Sequence, residues 1–265
     1  MEIAGYIASV LIGISLGLIG GGGSILTVPV LVYLMKIDPL LATTSSLFIV
    51  GTTSLVGGLR AYAKKLVDFE SVTEFGIPSI FSIFITRHFL LPALPNRILT
   101  IGKEVITKDM FLMIIFGILM LAASFSMIKS KQISEANEET QKEHQNKAFP
   151  LVLLGLFVGV LTGFLGAGGG FLIIPSLVLF LKLPMKTAVG TSLLIIAINS
   201  LLGFLFSLKQ FEYNWTVLLS FSVLATAGIF IGSKLSDKFS GTALKKGFGF
   251  FVLIMGIYII IRELF

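Results

Sequence analysis

Gly20, Gly21, Gly22 and Gly23, followed by Ser24, interrupt one apolar stretch of this chain; Gly168, Gly169 and Gly170, followed by Phe171, interrupt another. Glycine in a helix interior costs roughly 1 kcal/mol relative to alanine, so three or four in series end a helix. The chain then restarts at Ser24 or Phe171, and each restart exposes unpaired amides and the positive end of a helix dipole. Ser24 is also of a type that caps a helix start. Such amides suit a small anion without any arginine. Side-chain donors follow at corresponding places. Thr43, Thr44, Ser45 and Ser46 are followed by Thr52, Thr53 and Ser54; Thr191 and Ser192 are followed by Asn199 and Ser200. The expected anion site therefore comprises Gly20 to Ser24, Ser45, Ser46, Gly168 to Phe171, Thr191, Ser192 and Asn199.

This is chemistry of coordination, not of catalysis. The chain has no cysteine and only two histidines, His88 and His144, which removes thiolate catalysis, disulfides and the His-Glu-x-x-His arrangement. No enzyme activity, metal site or cofactor is expected. Gly166-Ala-Gly-Gly-Gly-Phe171 is not a dinucleotide fingerprint, since no strand precedes it and no ribose-binding acid follows at the right distance. Gly155, Gly159 and Gly163, spaced by four, read as a smooth helix face for close packing. No charged residue falls near the middle of an apolar run. Glu74, Arg87 and His88 lie within a turn or two of segment ends, where snorkelling accounts for them. Arg60, beside Lys64 and Lys65, reads as a cytoplasmic anchor. No buried proton relay is assignable for a coupling proton or cation; His88 and Glu74 are the only candidates.

The elements that must carry this site are membrane helices. The chain has 265 residues, 55% hydrophobic and 13% charged, with a mean hydropathy of +0.99; a soluble domain is about a quarter charged. Apolar runs fall at about 3–19, 24–35, 43–60, 73–91 and 110–128, then at about 150–166, 171–182, 188–206, 215–232 and 247–262, near or below the ~20 residues that span a bilayer. An acid, Glu2, stands ahead of the first run where a signal peptide would carry bases, and the run leads into the glycine motif, which argues against a cleaved signal peptide. The net charge of +6 reflects loop lysines and arginines and not a nucleic-acid partner. The partners expected are a small anion and membrane lipid; no oligomeric state follows.

The two interruptions are copies. Gly17-Leu-Ile-Gly-Gly-Gly-Gly-Ser-Ile-Leu-Thr-Val-Pro29 returns, 146 residues later, as Gly163-Phe-Leu-Gly-Ala-Gly-Gly-Gly-Phe-Leu-Ile-Ile-Pro175. The same offset pairs Ala42 with Ala188, Ser46 with Ser192, Ser54 with Ser200 and Gly57 with Gly203. This predicts an all-α polytopic membrane protein of two five-segment repeats, residues 1–128 and 150–265, joined by a hydrophilic linker over 129–149 that contains His144. Segments one and two, like six and seven, each cross, or form a re-entrant hairpin, or make one broken crossing. The first two options place thirteen Lys/Arg on one side of the membrane and seven on the other; the third gives nine against eleven. The positive-inside rule therefore favours inverted repeats, with both termini outside and the linker cytoplasmic. Matched broken helices are the sequence pointer to a transporter's central site. An anion channel with paired half-helices at an hourglass constriction is the alternative.

With its duplicated glycine motif, following proline and Ala-x-x-Thr/Ser-Ser start of the third segment, the chain resembles the sulfite exporter TauE/SafE (TSUP) family from about residue 5 to 260, apart from the linker. Gly163 to Pro175 and Ala188-Val-Gly-Thr-Ser192 carry the likeness most specifically. The first half departs by having Thr44-Ser45-Ser46 where the second has Gly190-Thr191-Ser192, and Arg87-His88 where the second has Ser233-Lys234. The resemblance implies a secondary carrier of sulfite, organosulfonates or similar sulfur-containing anions in the inner membrane. Export is the commoner direction in that family, import also occurs, and direction does not carry over.

Overall fold

A computed structural model describes residues 2–101, 104–129, 148–181, 183–236 and 241–264. Most of the linker, His144 included, lies outside the described residues. The first half contains α1 (Glu2–Ile19) and α2, an irregular helix over 20–34. The latter winds as a 3-10 stretch (Gly20–Leu26), one α-helical turn (Thr27–Pro29) and a π-helical turn (Val30–Leu34). Then come α3 (Pro39–Ala63), α4 (Phe69–Ile85, prolonged by a π-helical turn, Thr86–Leu90) and α5 (Lys108–Lys129). The second half repeats the order with α6 (Ala148–Leu165), α7 (Gly170–Phe180), α8 (Met185–Ser207), α9 (Trp215–Ser236) and α10 (Gly241–Leu264). An antiparallel hairpin, β1 (Arg97–Ile101) and β2 (Glu104–Thr107), joins α4 to α5. It is an addition to the all-helical expectation.

Local chemistry sets the starts of the long helices. Asp38 accepts from Leu40 N and Leu41 N ahead of Pro39 at the first helical position, and Asp68 accepts from Ser71 N at the head of α4; both caps satisfy amides that a helix start leaves free. Among the described residues five helices are long and apolar enough to cross a membrane, namely Pro39–Ala63, Phe69–Ala93, Lys108–Phe125, Met185–Gln210 and Trp215–Leu235. Ile3–Ile19, Gly23–Leu34 and Pro150–Leu165 are shorter apolar helices. Ile3, Ile77, Phe81, Phe125, Val223 and Ile254 point outward, each at least 60% exposed. So apolar a surface marks contact with lipid.

Glycines show how the helices pair. Gly13 and Gly17 of α1 lie against the Ala225 and Ile229 carbonyls of α9, so the two helices run parallel in close contact. Gly155, Gly159 and Gly163 of α6 lie against Phe75, Ser79 and Thr86 of α4, again in parallel, and the smooth-face reading of that stripe holds. The central pair α3 and α8 runs antiparallel, Gly51 opposite Leu201 and Gly58 opposite Leu194. Gly117 opposite Ile260, with Gly256 opposite Met120 and Leu121, makes α5 and α10 antiparallel too. α3 runs alongside α9, with Phe48 at Trp215 and Arg60 at Ser233; α4 runs alongside α8, with Ser79 at Asn199 and Ile83 at Gly203. α2 folds back along α1, bringing Gly23 against Leu16 and Met35 against Gly5. Phe48, Phe204, Tyr213 and Trp215 form an aromatic cluster at one end of α3, α8 and α9, with centroid distances of 5.1 to 6.2 Å.

Candidate functional site

The two glycine breaks meet. A Cβ built on Gly21 would lie 2.3 Å from the Gly170 Cα, and one built on Gly170 would lie 2.3 Å from the Gly21 Cα. Both would also sit 2.5 Å from the tip of Ile196, at the middle of Met185–Ser207. Val50, at the middle of Pro39–Ala63, stands beside Gly168. The junction therefore lies halfway along the two antiparallel central helices, with backbone directly on backbone. Gly20, Gly166, Gly168 and Gly169 have φ between +66° and +71°, a left-handed conformation that glycine adopts without a Cβ penalty. Repeat-equivalent contacts recur on either side: Gly20 faces Val189, and Gly166 faces the Thr43 carbonyl.

The polar residues divide. Ser192 and Ser200 belong to the junction, since their Oγ atoms would lie 3.3 and 3.0 Å from Cβ atoms at Gly20 and Gly168. The Ser192 hydroxyl donates to the Val189 carbonyl at 2.8 Å. Buried Ser46, Ser54 and Ser200 have Oγ atoms without a hydrogen-bond partner among the described residues, and Ser45 is buried beside them on α3. Three further expected site residues are engaged with protein partners. Ser24 does not cap a helix start: it lies inside the 3-10 stretch, and its hydroxyl donates to the Gly21 carbonyl at 2.7 Å. That stretch begins at Gly20, because consecutive glycines can wind tightly as well as break a helix. Thr191 accepts from the Asp68 amide at 2.9 Å and so ties the α3–α4 loop to α8. Asn199 donates to Ser79 Oγ on α4 at 2.7 Å, an interhelical clasp, while its Oδ1 has no partner among the described residues. α7 begins at Gly170 behind Gly169; the Phe171 side chain lies outside the described residues.

Arg87 departs furthest from its sequence reading. It does not snorkel: it is 0% exposed. Its Nη1 donates to Thr44 Oγ1 at 2.8 Å, and its Nε and Nη2 have no partner among the described residues. The visible signal was the charge itself, standing where the other repeat has Ser233. Arg60, by contrast, donates to Ser233 Oγ at 2.8 Å and lies over the Phe230 ring at 5.4 Å. His88 is exposed, stacked on Phe84.

Similar proteins agree in kind. A probable membrane transporter protein of Xylella fastidiosa (strain 9a5c) is 28% identical over 256 residues, covering 96% of this chain and 92% of its own. One from Methanocaldococcus jannaschii is 25% identical over 277 residues, covering 96% and 94%. Another, from Bacillus subtilis (strain 168), is 26% identical over 284 residues, covering 98% and 99%. No solved structure matches the chain. With a family match running from residue 6 to 259, through both glycine breaks and all the central helices, this is a multi-pass membrane protein that belongs to the sulfite exporter TauE/SafE family.

Proposed function

We propose that this protein is a secondary transporter that moves small sulfur-containing anions, such as sulfite or an organosulfonate, across the inner membrane by alternating access. The observation that carries the reading is the backbone contact between Gly21 and Gly170. Two breaks in apolar helices are tolerated at membrane depth only where they are buried in protein or line a cavity, and here they bury each other. Breaks of this kind, matched across repeats, characterise transporter binding sites. Gly20 to Gly23 and Gly168 to Gly170 shape the site with Ser192 beside Gly20, and the Ser46 and Ser200 hydroxyls, unpartnered among the described residues, supply donors to the anion. The family's name supports this class of cargo and favours export as the direction, and the relatives' description as membrane transporters supports the transporter reading.

The reading includes two inverted five-segment repeats, residues 1–128 and 150–265. Helix directions support it: α1 and α3 run with α9, α6 and α8 run with α4, and α3 runs against α8. Every equivalent pair among these is therefore opposed. The parallel course of α1 and α3, with α2 returning between them, argues against one broken crossing. Counting of basic residues supports termini outside and the linker, 129–149, in the cytoplasm. The deciding experiment is sulfite flux in proteoliposomes. The wild type is expected to show saturable flux with counterflow, and Gly169→Leu to lose it while still reaching the membrane. Ohmic current in the wild type, or undiminished flux in the variant, would reject the carrier built on this junction.

A further inference from the structure

Arg87 is the largest fully buried side chain in the described structure. It sits in the π-helical turn Thr86–Leu90, an irregularity that recurs at functional sites. With Nη1 fixed on Thr44, the two nitrogens left without partners are Nε and Nη2. These form one edge of the guanidinium, the edge that grips two oxygens of a single oxyanion side by side. A buried cation with no counter-charge is costly. Among the described residues, the ionisable group within its electrostatic reach is the Tyr213 phenol, not a carboxylate.

The surroundings of the guanidinium are polar. The Gln210 side chain on the α8 side donates to the Arg87 carbonyl at 3.5 Å, and Tyr213 donates to the Ser207 carbonyl at 3.0 Å. Ser207 itself is fully buried, its hydroxyl without a partner among the described residues. On the other side, Thr44 follows Thr43, whose carbonyl abuts Gly166 of the second break. The guanidinium is thus linked to the glycine junction through adjacent residues of α3.

We propose that the Nε–Nη2 edge of Arg87 is a substrate-binding subsite, held in place by Thr44, that takes an anion presenting two oxygens on one face, as sulfite and sulfonates do. It lies between the α3–α4–α8 end carrying Tyr213 and the glycine junction. This rests on the transporter reading and adds to it a residue that no glycine chemistry requires. The second half has no counterpart: the equivalent Ser233 is neutral and accepts from Arg60.

The test is thermal unfolding of the purified full chain in sodium sulfite, with sodium chloride at equal ionic strength as the reference. The wild type is expected to melt higher in sulfite, by mass action. Arg87→Lys keeps the charge but not the two-pronged edge, and is expected to weaken sulfite binding roughly tenfold. Arg87→Gln is expected to abolish the sulfite response while melting no lower than the wild type without sulfite, because it removes an unpaired buried charge. If Arg87→Gln does not fold, Arg87→Lys decides. Undiminished sulfite affinity in Arg87→Lys overturns the subsite, and the transporter reading then stands or falls on the flux of Gly169→Leu. A wild type without any sulfite response overturns both.

Discussion

In the first half the chain leaves α1 through one left-handed glycine, Gly20, and rewinds at once into a 3-10 stretch. In the second half it makes three left-handed turns, at Gly166, Gly168 and Gly169, before α7 begins. The first break closes on itself, with Ser24 bonded back to Gly21; in the second, the Leu172 and Ile173 amides return to the Gly169 carbonyl. Similar glycine strings therefore reach the same meeting point by different backbones. What each glycine faces decides its path. Gly20 looks onto the flexible ends of Ile174 and Val189, whereas its equivalent Gly166 looks onto the Thr43 backbone. The same inequality extends to charge, since the first half buries Arg87 where the second half has the hydroxyl of Ser233, which accepts from Arg60.

The largest effect is expected where the halves touch. Gly21→Val or Gly170→Val drives a side chain into facing backbone, and should destabilise by about 3 kcal/mol or more and stop flux. Gly76→Ala is the matched control: nothing lies within 4 Å of its Cβ position, so it should be neutral or gain up to about 1 kcal/mol in chemical denaturation. Next, Gly166→Ala should be the worse of the equivalent pair. Both it and Gly20→Ala incur about 1–2 kcal/mol for a left-handed alanine, but only Gly166→Ala also meets a carbonyl, at 1.9 Å. Equal losses in melting experiments on the two variants would mean that the breaks are alike after all.

Smaller changes sharpen the contrast between binding and packing. Asn199→Ala removes the clasp on Ser79 and is expected to cost about 1–2 kcal/mol, read by thermal unfolding. Ser54→Ala and Ser200→Ala delete unpartnered hydroxyls, so stability should change by about 0.5 kcal/mol or less. Slower sulfite flux in Ser200→Ala alone would place the anion on the second repeat's side. Arg60→Leu is expected to do least, within about 0.5 kcal/mol in thermal unfolding, because its contacts are only partly buried.

Much of the helical plan was readable from residue order. The apolar runs match the helices closely, and the four-residue spacing of Gly155, Gly159 and Gly163 announced a packed face, because such spacing is set within one helix. Asp38 and Asp68 likewise act on amides two or three residues away. What was not readable depends on partners far along the chain. Thr191 answers an amide 123 positions distant, and Arg87 finds Thr44 across 43. No local rule distinguishes a charge that snorkels from one drawn inward near a helix end. The hairpin of β1 and β2 is local yet hard to discern in the sequence, because its short strands lie between long apolar runs.

The aromatic cluster has a practical consequence. Trp215 is the single tryptophan in the chain, and it stands edge-on to Phe48 of α3 and Phe204 of α8. Any rearrangement that parts α3 from α9 at that end changes the solvent and ring contacts of one indole. The native fluorescence of the unlabelled molecule is therefore a gauge of opening at one face, silent to the other.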